Sequence, residues 1–327
     1  MISRRHLLGL LTASALPIGA SWAQSADWSM VTEYPATSMS GEGLRFFAEA
    51  LARESGGRIA IQPSFDSSLK SADTPAAVRD GRVAAADAFA GGLGRLDPLF
   101  LLSSLPFLAA TNDDARRLYA AARTAYTKRL AQEGQILLFA TAWPPSGLWA
   151  RKPITTPADL AGLTIRTYDA TGAKVFTAAG AVPANLSFAD TMPKLADGSI
   201  AAVLSSGDGG AGRRLWDHLR HFTEINYAVP LSLATLNAGL YTALSPELRA
   251  AVDRAAAATE IRQWQLLETR LAENYARMAA NGVTITKADA VASDLRALLA
   301  RSASDAIDAW KVQAGPEPAS LLATVGK

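Results

Sequence analysis

Apolar positions along the chain follow two rhythms in turn, and their alternation predicts an α/β fold. "WSMVTEY" at residues 28–34 alternates as a strand does. "SGEGLRFFAEALARESGG" follows, with Leu44, Phe47 and Leu51 on one helical stripe and Gly56-Gly57 as its stop. "RIAIQPSF" reads as a strand, "TPAAVRDGRVAAADAFAG" as helix, turn and small-residue strand, and "LSSLPFLA" as a buried apolar segment. "TNDDARRLYAAARTAYTKRLAQEG" reads as a helix whose Asp113 and Asp114 sit where the dipole favours acids. "QILLFATAW" is a buried strand, and the order β-α-β-α-β-α-β predicts a mostly parallel sheet covered by helices.

"PPSG" at 144–147 breaks this rhythm, and a second β/α series begins. It runs through "LWARKPI", "GLTIRTY", the helix "DATGAKVFTAAG", "AVPANL", the helix "SFADTMPKLADG" and the strand "IAAVLSS". Two α/β units joined by crossing strands leave a cleft between them, and ligands bind beyond the carboxyl ends of strands in open α/β sheets. From Glu247 to Asn281 the pattern is helical without glycine or proline, with Ser245 as N-cap, Pro246 at N1 and Asn281-Gly282 as the stop. At 1.5 Å per residue this is roughly 50 Å of helix, longer than one small domain, so it is expected to lie across both units. The alternative is two helices with an unmarked bend. "GPEPASLLATVGK" is a tail with a short final helix. A chain of 327 residues is too long for one small core, so two domains or one large one are expected.

The first residues stand apart. "MISRRHLLGLLTASALPIGASWAQ" has a charged start, an apolar run from Leu7 to Ala20, and small residues Ser21 and Ala23 before a cleavage point. That is the pattern of a secretory signal peptide over residues 1–23. An uncleaved anchor is the alternative, but Thr12, Ser14 and Pro17 interrupt a run already short of the roughly 20 residues a span needs. "SRRHLL" resembles a twin-arginine export signal, with the general export route as the other reading. The mature chain is expected outside the cytoplasm, in the periplasm, with no later segment inserted in a membrane.

Arg4 and Arg5 are the leader's strong charges, so removing it brings the formal charge from +2 to zero. Neither nucleic acid nor a membrane surface is favoured as a partner by such a balance. There is no cysteine, which excludes disulfides and thiolate metal sites. "SSLK" at 67–70 fits the S-x-x-K pattern of serine acyl enzymes, yet the companion motifs S-D-N and K-T-G are missing. "GGLG" and "GDGGAG" lack the spacing of dinucleotide or phosphate loops. "HLRH" puts His218 and His221 on one face of an expected helix, which could hold a metal but reads better as a solvated face. No cofactor is expected.

Six phrases in order resemble the periplasmic solute-binding proteins of TRAP transporters, the C4-dicarboxylate-binding (DctP-like) type. They are "FFAEALARESGGRIAIQ", "AAVRDGRV", "SSLPFL", "RKPITTPADLAGLTIR", "GAVPANLSFADTMPKLADGSI" and "LSPELRAAVDRAA". The resemblance implies two lobes that close on a ligand like a flytrap, with a long helix spanning both. It places 24–143 with 231–272 in the first lobe and 144–230 with 273–327 in the second. Its function is capture of a small organic acid and delivery to the transporter's membrane subunits. A secreted α/β hydrolase or transferase is the competing class, and it needs a nucleophile with a base, or a metal site.

The resemblance also assigns residues. Arg166, ending "GLTIR", matches the family's carboxylate-pairing arginine, and a guanidinium's planar fork suits that task. Phe188 matches a ring lining the pocket, and Ser205 a polar ligand contact, although "AAVLSS" has lost the family's usual polar "iDGqE" groups. Ser146 stands where the family often has a second arginine. Phe89 falls where a relative binding a large sugar acid has an acid, and Trp143 and Tyr34 sit near the same mouth. One strong anion hook in an otherwise apolar pocket favours a small, partly apolar monocarboxylate.

Overall fold

The structure, a computed structural model, describes residues 26–109 and 111–325. The leader expected at 1–23 lies outside the described residues. The strands are β1 (Ala26–Thr32), β2 (Ile59–Ser64), β3 (Ala85–Phe89), β4 (Gln135–Ala142), β5 (Ser146–Ala150), β6 (Thr164–Thr167), β7 (Val182–Asn185), β8 (Ala202–Ser206), β9 (His221–Thr223), β10 (Leu231–Asn237) and β11 (Thr284–Thr286). They form a first sheet in the order β2-β1-β3-β10-β4 and a second in the order β11-β9-β5-β8-β6-β7.

Each sheet is parallel but for one reversed strand, so the mostly parallel sheet expected for the first series is found, with an antiparallel insertion the sequence did not mark. In the first, β1 is parallel to β2 and β3, and β10 is antiparallel to β3 and β4. In the second, β5 is antiparallel to β8 and β9, whereas β6 is parallel to β7 and β8 and β11 to β9. The crossing explains this. Strand β4 runs toward the junction and continues into β5, which must run away from it; β9 arrives at the junction and continues into β10, which also leaves. The two crossing segments bond to each other, Trp143 N to Pro230 O at 2.9 Å and Ser146 N to Ala228 O at 2.9 Å. The strand at "LSLATLN" and its insertion between β3 and β4 are not read from the sequence, and the pairing cannot be, because both partners are encoded far upstream.

The long helix spans Pro246–Ala280, and Ser245 Oγ caps it by accepting from Leu248 N at 3.3 Å. Its first turns, with Leu248 and Val252, pack into the core of the first sheet beside Phe47 and Phe139. Trp264 and Leu267 join that sheet's other core, and Met278 joins the aromatic cluster of the second. A second helix, Ser293–Ala314, also crosses. Leu295 and Leu299 pack on the second sheet, while Trp310 enters the first core and donates from Nε1 to Pro98 O at 2.7 Å. Leu321 and Leu322 pack there too, so residues 273–327 divide between the two units.

The helix expected at "HLRH" does not form. Arg214 takes the left-handed region (φ 52) and ends the short helix Gly207–Gly212. His218 then closes a single 3-10 turn and His221 opens β9. Among the described residues no His, Cys, Asp and Glu group is arranged to hold a metal, and no helix is long and apolar enough to cross a membrane.

Candidate functional site

The crossing points every strand end that matters toward one place. Strands β1, β3, β6 and β8 run toward the junction and β5 starts there, so side chains at those ends converge. A small chamber there is lined by Tyr34, Phe89, Trp143, Ser146, Arg166, Phe188 and Ser205. Each of these seven is singled out in the sequence, and together they come from six separate segments of chain. Tyr168, Ser206, Gly209 and Pro230 complete the wall. Tyr168 was within reach of sequence reasoning, two residues past Arg166; Pro230 was not, since only the β10 crossing brings it in.

Arg166 is the chemical centre. It is only 4% exposed. Nε donates to Leu186 O at 2.8 Å and Nη1 to Leu204 O at 3.2 Å, which fixes the plane of the guanidinium. Its carbon lies 4.4 Å from the centroid of the Phe188 ring. Among the described residues Nη2 has no protein acceptor and no carboxylate forms an ion pair with the group. Burial pulls its pKa down, opposed by Tyr34 and Glu33, yet a guanidinium stays charged in proteins. The result is a buried, oriented cation that no carboxylate among the described residues pairs directly, with Glu33 acting only at longer range, an arrangement that costs free energy until an anion arrives.

Aromatic rings make the rest of the wall. Tyr34 packs on Trp143 with centroids 4.6 Å apart, and Phe89 packs on Tyr168 at 5.0 Å. Trp143 spends its Nε1 donor on Ser232 Oγ at 3.0 Å, so it offers the chamber a face. Tyr168 donates to Ser146 Oγ across 3.4 Å. Ser205 and Ser206 end β8, and Ser206 Oγ caps the glycine-rich helix by accepting from Gly209 N at 3.0 Å. A Cβ on Gly209 would sit 2.7 Å from Ser205 Oγ, and one on Gly210 would collide with the Trp149 indole. The glycines of "GDGGAG" are thus there for close packing behind the chamber.

The chamber holds about 20 Å³ of free space, room for one or two waters at roughly 10–15 Å³ each. An organic acid needs more room than this. Outside lies a cleft of about 660 Å³ that also reaches Arg166, Tyr34 and Tyr168 and is rimmed by Lys70, Lys174, Asn185 and Asp190.

Beneath Phe89, Asp87 is fully buried, with Oδ2 accepting from Thr32 Oγ1 at 3.0 Å and Oδ1 unpaired. Burial raises its pKa to about 7. The unfolded carboxyl titrates near 3.9, so between these values the folded state holds the extra proton and stability falls as pH rises. Over about three pH units the loss reaches up to roughly 4 kcal/mol, at 1.36 kcal/mol per unit. Asp87→Asn abolishes it. Urea midpoints should therefore favour the variant increasingly from pH 5 to pH 8; a gap that does not change with pH would show an ordinary carboxyl.

Fold and chamber together define a two-lobed protein with a buried cationic chamber between its sheets. The chain belongs to the bacterial extracellular solute-binding proteins, family 7 (DctP), whose family model matches residues 30–301. It is a solute-binding protein of the TRAP transporter type. Its structure is similar to that of DctP7, a Bordetella pertussis extracytoplasmic solute receptor binding pyroglutamic acid, at 28% identity and a TM-score of 0.88, covering 93% of this chain and 100% of that one. A marine metagenome TRAP solute-binding protein specific for pyroglutamate matches at 26% identity and 0.86, covering 92% and 99%. The galactonate complex of DctPAm from Advenella mimigardefordensis shares the fold at 15% identity and 0.86, covering 92% and 98%.

Proposed function

We propose that the chamber takes one compact monocarboxylate of the pyroglutamate class, paired with Arg166, and that the mature chain hands it to the membrane subunits of a TRAP transporter from the periplasm. The observation that carries this is the isolated Arg166 guanidinium, fixed by two carbonyls above Phe188 with one nitrogen unused. Phe89, Trp143 and Tyr34 cover the rest of the ligand, while Ser146 and Ser205 supply hydroxyls that donate or accept. A sugar acid brings many hydroxyls into a wall that is largely aromatic, and each one left unpaired costs about 1–3 kcal/mol. Pyroglutamate, the ligand of two similar receptors, brings one ring, one amide and one carboxylate. Binding without turnover is expected, because the chamber offers Arg166 to an anion but, among the described residues, gives neither serine a base. The rotating halves in this reading are the units expected from the sequence, 24–143 with 231–272 and 144–230 with 273–327, except that Trp310, Leu321 and Leu322 of the last segment pack on the first half. Calorimetry with pyroglutamate, its amide and galacturonate tests the reading. Pyroglutamate should bind at least about 100-fold tighter than either, a gap of about 2.7 kcal/mol. Galacturonate binding more tightly than pyroglutamate would overturn the ligand class.

A further inference from the structure

The wall around the chamber is held shut by a residue that does not line it. Arg213 follows the glycine helix on the second unit and reaches across the cleft to the first. Nη1 pairs with Asp66 Oδ1 at 2.8 Å, and Nη2 donates to Glu33 O. Its guanidinium carbon lies 6.0 Å from the Phe188 ring, on which Arg166 also sits. Asp66 occupies a left-handed turn (φ 52), and its N–H donates to Tyr34 O at 3.1 Å. One side chain therefore ties the turn that carries Tyr34 to the segment that carries Ser205, Ser206 and Gly209. We propose that Arg213 is a positioning residue for ligand capture: its grip on Asp66 and Glu33 O forms on closure, seats Tyr34 against the bound acid, and sets how long the acid stays. This rests on the chamber being the ligand site.

A second pair crosses the same cleft, Lys70 Nζ with Asp190 Oδ2 at 2.7 Å, but both side chains are more than 40% exposed. An exposed pair of this kind contributes little. Arg213 is 19% exposed, grips two acceptors at once and has its Nε buried without a partner, so its contact is far better shielded from water than that pair.

The chain has no cysteine, so Lys128→Cys with Lys194→Cys gives one clean label pair across the units. Label distances and stopped-flow tryptophan fluorescence with pyroglutamate are compared in wild type, Arg213→Ala and Asp66→Ala. Arg213→Ala should raise koff by about 10- to 100-fold and leave kon within about threefold, as expected for a closed-state charge contact. It should also lengthen the label distance. Arg213→Lys should recover part of the koff change. Asp66→Ala touches an exposed side chain, should shift koff the same way, and should add little on top of Arg213→Ala. If wild type ignores pyroglutamate but both variants still lengthen the label distance, the ligand assignment fails and the clamp stands. If label distances and koff match wild type in folded Arg213→Ala and Asp66→Ala, the clamp is refuted.

Discussion

Arg166→Ala is expected to weaken capture of the free acid by roughly 30-fold to several thousand-fold. Truncating one partner of a buried, hydrogen-bonded charge pair costs about 2 to 5 kcal/mol, and each 1.4 kcal/mol is about tenfold in affinity. The empty protein should tolerate the change. Alanine leaves Leu186 O and Leu204 O without their donor, but it also removes a buried charge that no carboxylate among the described residues balances. These effects oppose each other, and the ligand-free melting temperature should move by only a few degrees. Arg166→Lys keeps the charge but cannot reach two carbonyls and a carboxylate from one ammonium, so it should recover only part of the loss. The amide of the ligand should bind wild type poorly and lose little more in Arg166→Ala. Calorimetry on acid and amide against both proteins closes a thermodynamic cycle. Binding of the free acid within about threefold of wild type in a folded Arg166→Ala protein, about 0.6 kcal/mol, would make the arginine structural.

The largest loss of stability should come from Asp208→Ala. Asp208 is buried at the start of the glycine helix. It accepts from Met39 N at 2.8 Å, Arg270 Nε at 2.6 Å and Asn274 Nδ2 at 3.2 Å, which joins the second unit, the first unit and the long helix at one carboxylate. Removing one partner of a buried pair costs about 3–5 kcal/mol. Arg270 keeps Glu42 at 2.8 Å as a second acceptor, so the low end is expected. At about 2–4 °C per kcal/mol, the melting temperature should fall by about 6–12 °C. Asp208→Asn keeps the shape but not the charge and should lose less. A drop under about 2 °C for the alanine variant would mean that water replaces the carboxylate at no cost.

Helices and strands were legible wherever period and caps agreed. Ser245-Pro246 and Asn281-Gly282 bracket the long helix within a residue of where it forms, because capping depends on groups three or four residues apart. Arg166 was singled out by its strand-end position, the turn after it and the family resemblance, and the structure buries it in the chamber with the six other residues named with it. Histidines 218 and 221 misled, because helical spacing in "HLRH" is overridden by a left-handed turn at Arg214.

Sequence alone determined the local elements, the two α/β series, the bridging helix and the arginine that ends β6. Tertiary structure decided the reversed direction of β5 and β10, the meeting of the seven expected residues from six chain segments at one chamber, and the burial of Arg166 without an ion pair among the described residues. Periodicity and capping are encoded within a few neighbours along the chain. Strand pairing, desolvation of a charge and contact across a cleft depend on groups far apart in sequence, and those acquire definite positions only when the two units pack.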